Sequence, residues 1–290
     1  MNIRVKEMYS GKIESGRFAW SATDGILETY RKRDAIMAAK PMLILQLRPE
    51  QEAADEEFAA FLEKGRLSVS HTRRIRLDLE QIPENLSLDD YCGIIVGGGP
   101  GCVSDPPHGK PPVEARIESD MLSLMPEVTK RDFPFLGCCY GIGILARHLG
   151  GHVDKRAYSE PVGTSACELT QDGRNDRLLE GIPTAFDAFV GHKEAVQALP
   201  DRCAHLIRSE ACLFQMLRFG KNVYATQFHP EADANGFETR VRIYKNYGYF
   251  PPESADDIIK MCRAADVHVP EMILRNFVAR YFERQQPRIP

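Results

Sequence analysis

Apolar positions along this chain follow two rhythms. The first is the short unbroken run. Met42-Leu-Ile-Leu-Gln-Leu47, Gly93-Ile-Ile-Val96 and Phe133-Pro-Phe-Leu-Gly137 are near-continuous apolar stretches, as in strands buried on both faces. The second is helical spacing. Ala54, Phe58, Phe61 and Leu62 form a stripe behind Pro49 that ends near Gly65. Val113, Ile117, Met121 and Leu124 form another, which Pro126 is expected to close. A third helix follows Cys139 and is expected to stop at Gly150-Gly151. Residues 67–78 alternate loosely and predict one more strand. Strands and helices in alternation predict an α/β fold, a doubly wound and mostly parallel sheet flanked by helices.

From residue 152 to 228 the texture changes. Five short stretches, 162–169, 185–190, 205–209, 214–219 and 223–228, alternate with turn residues. They predict an added mixed or antiparallel section. Residues 237–247, 254–264 and 271–283 predict helices. The last carries Ile273, Leu274, Phe277, Val278, Tyr281 and Phe282 on one face, with Pro270 at its start. The expected organisation is an N-terminal extension over 1–40, one domain over 41–250, and a C-terminal helical extension over 251–290 packed on the core. The N-terminal extension holds an amphipathic stretch at 26–39 and the one tryptophan, Trp20.

Composition narrows the class of function. Of 290 residues 43% are apolar and 27% charged, and the net charge of −4 offers no basic field for nucleic acid or an anionic membrane. No apolar run approaches the roughly 20 residues a spanning helix needs. The first residues lack the apolar core of a secretory signal. Eight cysteines occur without Cys-x-x-Cys or a Cys/His cluster, so neither a zinc site nor a disulfide framework is expected. A reducing, cytoplasmic compartment follows.

The stretch Gly137-Cys-Cys-Tyr-Gly141 joins a buried strand to a helix. Glycines flanking Cys139 at two residues on either side suit a turn too sharp for a Cβ, the thiol form of a nucleophile elbow. There the helix N-terminus would favour thiolate. Inert core filler is the alternative for Cys139, and the expected role of Cys138. A thiol nucleophile needs a base and a group to orient that base. In Gln227-Phe-His-Pro-Glu231, His229 ends a strand, Pro230 breaks it, and Glu231 lies two residues on. Gly97-Gly-Gly-Pro-Gly101 follows another strand on the same expected sheet edge. Its backbone can approach an oxyanion, one N–H from Gly99 and a second from Tyr140. A phosphate cradle or an ordinary tight turn are its other readings.

Taken in order, Ile94-Ile-Val-Gly-Gly-Gly-Pro100, Pro134-Phe-Leu-Gly-Cys-Cys-Tyr-Gly141, Glu160-Pro-Val-Gly163 and Gln227-Phe-His-Pro-Glu231 resemble the class I (triad) glutamine amidotransferases. The nearest likeness is the glutaminase domain of GMP synthase and its stand-alone relatives, over roughly residues 42–249. The resemblance implies the flavodoxin-like amidotransferase fold. It implies Cys139 as nucleophile, His229 as base and Glu231 as its orienter. It assigns Val190, Gly191 and His192 to the substrate's amino-acid end through their backbone, and a structural role for His192 is equally open. Glutamine or a γ-glutamyl compound is the implied substrate, with no metal or organic cofactor. The implied partner is an ammonia-accepting synthetase subunit, since no ATP-pyrophosphatase signature is present. The chain departs from the pattern at Gly143, where the family has a substrate-binding glutamine. That departure keeps a γ-glutamyl hydrolase open, beside a non-catalytic regulatory module on the same fold.

Overall fold

The computed structural model describes residues 40–283. The expectations for Trp20 and the 26–39 stretch lie outside those residues. The first half alternates as the sequence predicts: β1 (Met42–Gln46), α1 (Gln51–Gly65), β2 (Thr72–Arg76), β3 (Gly93–Val96), α2 (Pro112–Arg131), β4 (Phe135–Cys138) and α3 (Tyr140–His148). The second half carries β5 (Val153–Asp154), β6 (Glu160–Leu169), a single turn α4 (Gln171–Arg174), β7 (Ala185–His192), β8 (Ala195–Val196), β9 (Cys203–Ser209), β10 (Met216–Phe219) and β11 (Val223–Thr226). Three helices close the described chain: α5 (Ala234–Tyr244), α6 (Ala255–Ala264) and α7 (Val269–Tyr281).

Among the described residues, nine strands form one sheet in the order β2-β1-β3-β4-β11-β10-β9-β6-β7. Pairing is parallel from β2 to β11 and antiparallel from β11 to β7. β5 and β8 pair separately. The continuous apolar runs have the meaning expected of them. In β1, Leu43 and Leu45 face a core with Met121 and Met125 of α2. Met42 and Ile44 face the other core, with Phe61 of α1 and Ile273, Leu274 and Phe277 of α7. The final helix thus covers one face of the sheet.

Pro126 does not close α2, which runs five residues further, to Arg131. Buried Met125 and Val128 keep the apolar stripe going past the proline. Pro126 itself is exposed, so the carbonyl it frees one turn earlier can be hydrated. α3 ends at His148, and Gly150 takes a left-handed φ of 76° just beyond it.

Strand register sets the geometry that matters for function. Val96 of β3 lies opposite Gly137 of β4, and Cys138 lies opposite Thr226 of β11. Three strands therefore end at one level. The chain segments that leave them, 97–101, 139–140 and 227–231, emerge side by side at the carboxyl edge.

Candidate active site

Cys139 sits between β4 and α3 with φ 50° and ψ −93°, a left-handed conformation rare for a residue with a side chain. Its N–H donates to the Thr226 carbonyl at 2.8 Å, which pins the turn to β11. A Cβ at Gly137 would come within 3.0 Å of the Gly141 Cα, so the first flanking glycine is sterically required. The second differs from expectation. Outside its own helix, a Cβ at Gly141 would meet Val96 at 3.9 Å, an ordinary contact.

His229 is buried, its Nδ1 lies 2.9 Å from Glu231 Oε1, and its backbone N–H donates to the Phe189 carbonyl. Glu231 is wholly buried and also accepts from Arg240 Nη2 of α5 at 2.9 Å. Burial by itself would raise the Glu231 carboxyl, but His229 and Arg240 outweigh it and hold the group ionised. An ionised Glu231 accepts the Nδ1–H hydrogen bond and leaves Nε2 as the lone-pair nitrogen. Burial pulls the His229 pKa below 6.5, against the attraction of Glu231.

Cys139 behaves otherwise than a bare helix N-terminus predicts. Burial pushes its thiol up to about 12, although the nearby Arg48 favours the thiolate. The resting pair is therefore neutral thiol and neutral imidazole. No hydrogen bond joins them; the contact to Sγ is from Gln227 Nε2 at 4.0 Å. Both groups nevertheless line one cleft, together with Gly99 and Arg48.

The glycine turn is held by its neighbours. Gly97 N–H donates to the Leu45 carbonyl and Gly98 N–H to Glu57 Oε1 at 3.0 Å. The N–H groups of Gly99 and Tyr140 have no partner among the described residues. Both residues line a second cleft with Cys139, Gly143, Gly191 and His192. Gly98 is tight against the imidazole, since a Cβ there would fall 2.5 Å from His229 Cε1.

Of the three residues expected at the substrate's amino-acid end, Gly191 and His192 line this second cleft. The Val190 side chain packs into the core. The His192 ring is committed elsewhere. Its Nδ1 lies 2.9 Å from the Glu194 carbonyl and its Nε2 2.9 Å from Glu160 Oε2. Glu160 accepts further from Ser165 Oγ and Gln215 Nε2. This network gives Glu160 of the Glu-Pro-Val-Gly motif a structural job.

Four buried residues of the site went unread in the sequence: Arg48, Glu57, Glu194 and Arg240. Arg48 Nε donates to Glu57 Oε1 at 2.8 Å, and Glu57 also takes Gln46 Nε2 and Gly98 N–H. Glu194 accepts the Val103 and Ser104 N–H groups at 2.8 Å each and borders Gly143. For Glu57 a signal existed: a carboxylate on the apolar stripe, between Ala53, Ala54 and Phe61. For Arg48, its place just past β1 on the carboxyl edge was the clue. Among the described residues, two clusters, Glu57/His229/Glu231 and Glu160/His192/Cys212, bring ligand atoms within 4.8 Å of one another. Their carboxylates are engaged by guanidinium, imidazole, amide and hydroxyl donors of the protein itself, as in ion-pair networks.

A thiol on a strained turn, an oriented imidazole and two free backbone N–H groups, at the carboxyl edge of a doubly wound sheet, are the parts of a cysteine-dependent acyl-transfer class. The family model for glutamine amidotransferase class-I matches residues 65–243, more than half of the chain, and the chain belongs to that family. It is 30% identical over 168 residues to a glutamine-hydrolyzing GMP synthase of Petrotoga mobilis, covering 58% of this chain and 29% of that protein. It is 29% identical over 164 residues to one subunit of the glutamine-hydrolyzing GMP synthase of Archaeoglobus fulgidus, covering 55% of this chain and 76% of the relative. In fold it is similar to a glutamine amidotransferase of Thermotoga maritima, with TM-score 0.66 and 20% identity over 84% of this chain and 99% of that one. The chain thus carries a GMP synthase glutaminase-like domain but spans less than a third of the Petrotoga protein's length. No described helix is long and apolar enough to cross a membrane.

Proposed function

We propose that this chain hydrolyses the side-chain amide of glutamine through a thioester on Cys139 and supplies the ammonia to a synthetase partner. The observation that carries the reading is that Cys139 and His229 line one cleft, with Glu231 2.9 Å from the far ring nitrogen. His229 Nε2 takes the thiol proton as sulfur attacks the amide carbon. The tetrahedral oxyanion is met by the Gly99 and Tyr140 N–H groups, a contribution of about 3–4 kcal/mol per donor to barrier lowering. The C–N bond breaks, His229 protonates the leaving ammonia, and a water activated by the same imidazole releases glutamate. The partner is inferred from the names of the relatives, a whole GMP synthase in one case and a separate GMP synthase subunit in the other.

The test is glutamate release from glutamine by the purified chain and by Cys139→Ala. The variant is expected to lose all release, and persistent release would refute the role of Cys139. A second reading, hydrolysis of larger γ-glutamyl compounds, is favoured by Gly143. Failure of a glutamine-like chloroketone to alkylate Cys139 would instead point to a non-catalytic module.

A further inference from the structure

One helix braces the imidazole and its carboxylate together. Phe237, Arg240 and Tyr244 fall on one face of α5, at i, i+3 and i+7. Each meets a different part of the site. The Phe237 ring packs edge-on against the His229 ring, with centroids 6.1 Å apart. Arg240 Nη2 donates to Glu231 Oε1 at 2.9 Å. The Tyr244 ring centroid lies 5.5 Å from the Arg48 guanidinium.

Glu231 uses one oxygen twice. Oε1 accepts from His229 Nδ1 and from Arg240 Nη2, each at 2.9 Å, while Oε2 is buried with no partner among the described residues. A guanidinium thus stands one carboxylate oxygen away from the ring. Arg240 is itself buried, and its hydrogen bonds among the described residues go to Glu231 and, at 3.3 Å, to Glu56 of α1. Stability is a poor reason for such a group, since apolar side chains can often replace a buried ion pair without loss. A fixed charge beside a base is a better one, because it opposes protonation of the ring.

We propose that Arg240 is a positioning residue for the base: it holds the Glu231 oxygen against Nδ1 and keeps a positive charge beside the imidazole, so that Nε2 stays free to take the thiol proton. This rests on the thiol mechanism proposed above and adds to it a residue that acts through Glu231. The charges facing the ring give the effect a sign. Glu231 favours the imidazolium, and Arg240 of α5 and Arg48 beyond β1 oppose it. Glu57 of α1 brings an oxygen within 4.8 Å of the His229 and Glu231 ligand atoms but is paired with Arg48. Glu56 of α1 is paired with Arg240, and burial keeps the Cys138 and Cys139 thiols neutral. Without the Arg240 charge, Glu231 is less opposed and His229 titrates at higher pH.

The experiment follows the His229 ring by NMR in the histidine-labelled full chain, with kcat and KM for glutamine measured on the same proteins. The wild-type ring is expected to titrate below 6.5. Arg240→Gln keeps a donor for Glu231 but no charge. It is expected to raise that value by about one pH unit, and to lower kcat on the pH plateau about tenfold with KM within about twofold. Arg240→Lys keeps the charge and is expected to titrate as the wild type does, with most of kcat recovered. An unmoved or lowered titration in Arg240→Gln overturns the proposal, and so does a loss confined to KM. No glutamate release by the wild type overturns the glutaminase reading instead, and the titration still decides the role of Arg240. If Arg240→Gln does not fold, Glu56→Gln at a half-buried position takes its place. With Arg240 no longer shared, His229 is then expected to titrate at lower pH than in the wild type, and no change overturns the proposal.

Discussion

At the scale of residues, the site is built on electrostatic restraint. Burial keeps the Cys139 thiol protonated and His229 neutral, so charge is made only when a substrate is attacked. The pH profile follows with a definite sign. A base works in its neutral form, and a lowered pKa keeps His229 neutral further into acid. Glutaminase activity should hold as pH falls to 6.5, the ordinary value, and drop only below it. A kcat/KM profile whose acid limb is centred above 6.5 would contradict this. Gly143 supplies a second case. A Cβ there would stand 3.2 Å from both Glu194 Oε1 and Val103 Cγ2. Introducing the family residue by Gly143→Gln is therefore expected to lower glutaminase kcat/KM by about tenfold, because Glu194 and Val103 must shift to admit the side chain. A gain in activity would show that the cleft accommodates the side chain.

At the scale of elements, strand ends are tied together by side chains from neighbouring elements. Glu57 of α1 is wholly buried, holds Arg48 beyond β1 and caps the Gly98 N–H beyond β3. One carboxylate thus fixes two segments of the carboxyl edge. Glu57→Ala would leave the Arg48 guanidinium buried and uncompensated. A loss of about 3–5 kcal/mol is expected, read as a lower midpoint in urea unfolding. A loss below about 1 kcal/mol would mean that water or another carboxylate replaces it. Elements also explain where sequence reading failed. Periodicity locates α2, but its end lies beyond Pro126 because the buried Met125 and Val128 carry the helix on. The two glycines around Cys139 look equivalent in the sequence, yet only Gly137 lies in close packing.

At the scale of the molecule, the parallel half supplies the thiol and the glycine turn, and antiparallel β7 brings Gly191 and His192 to the same cleft. The last helix belongs to the core rather than standing apart from it. Phe277 of α7 is fully buried with Met42, Ile44 and Phe61. Phe277→Ala is expected to destabilise the chain by about 3–5 kcal/mol, measurable by denaturant unfolding. An effect under about 1 kcal/mol would show that α7 can detach without disturbing the sheet.

Much of this was legible in one dimension, because strands buried on both faces and turns that demand glycine leave local marks. The unbroken apolar runs announced β1, β3 and β4, and the spacing around Cys139 and His229 announced a thiol and an imidazole at strand ends. Register, by contrast, is a property of pairs of strands. Only the folded sheet brings Cys138 level with Thr226, and so sets position 139 beside position 229. Burial is likewise collective. No local pattern tells that Arg240 is withdrawn from water beside the imidazole, or that desolvation around the thiol outweighs the helix N-terminus. The sequence by itself determined which chemical groups are present and on which edge they stand. The tertiary structure decided which of them meet and which are charged at rest, because register and burial are properties of the whole packed sheet.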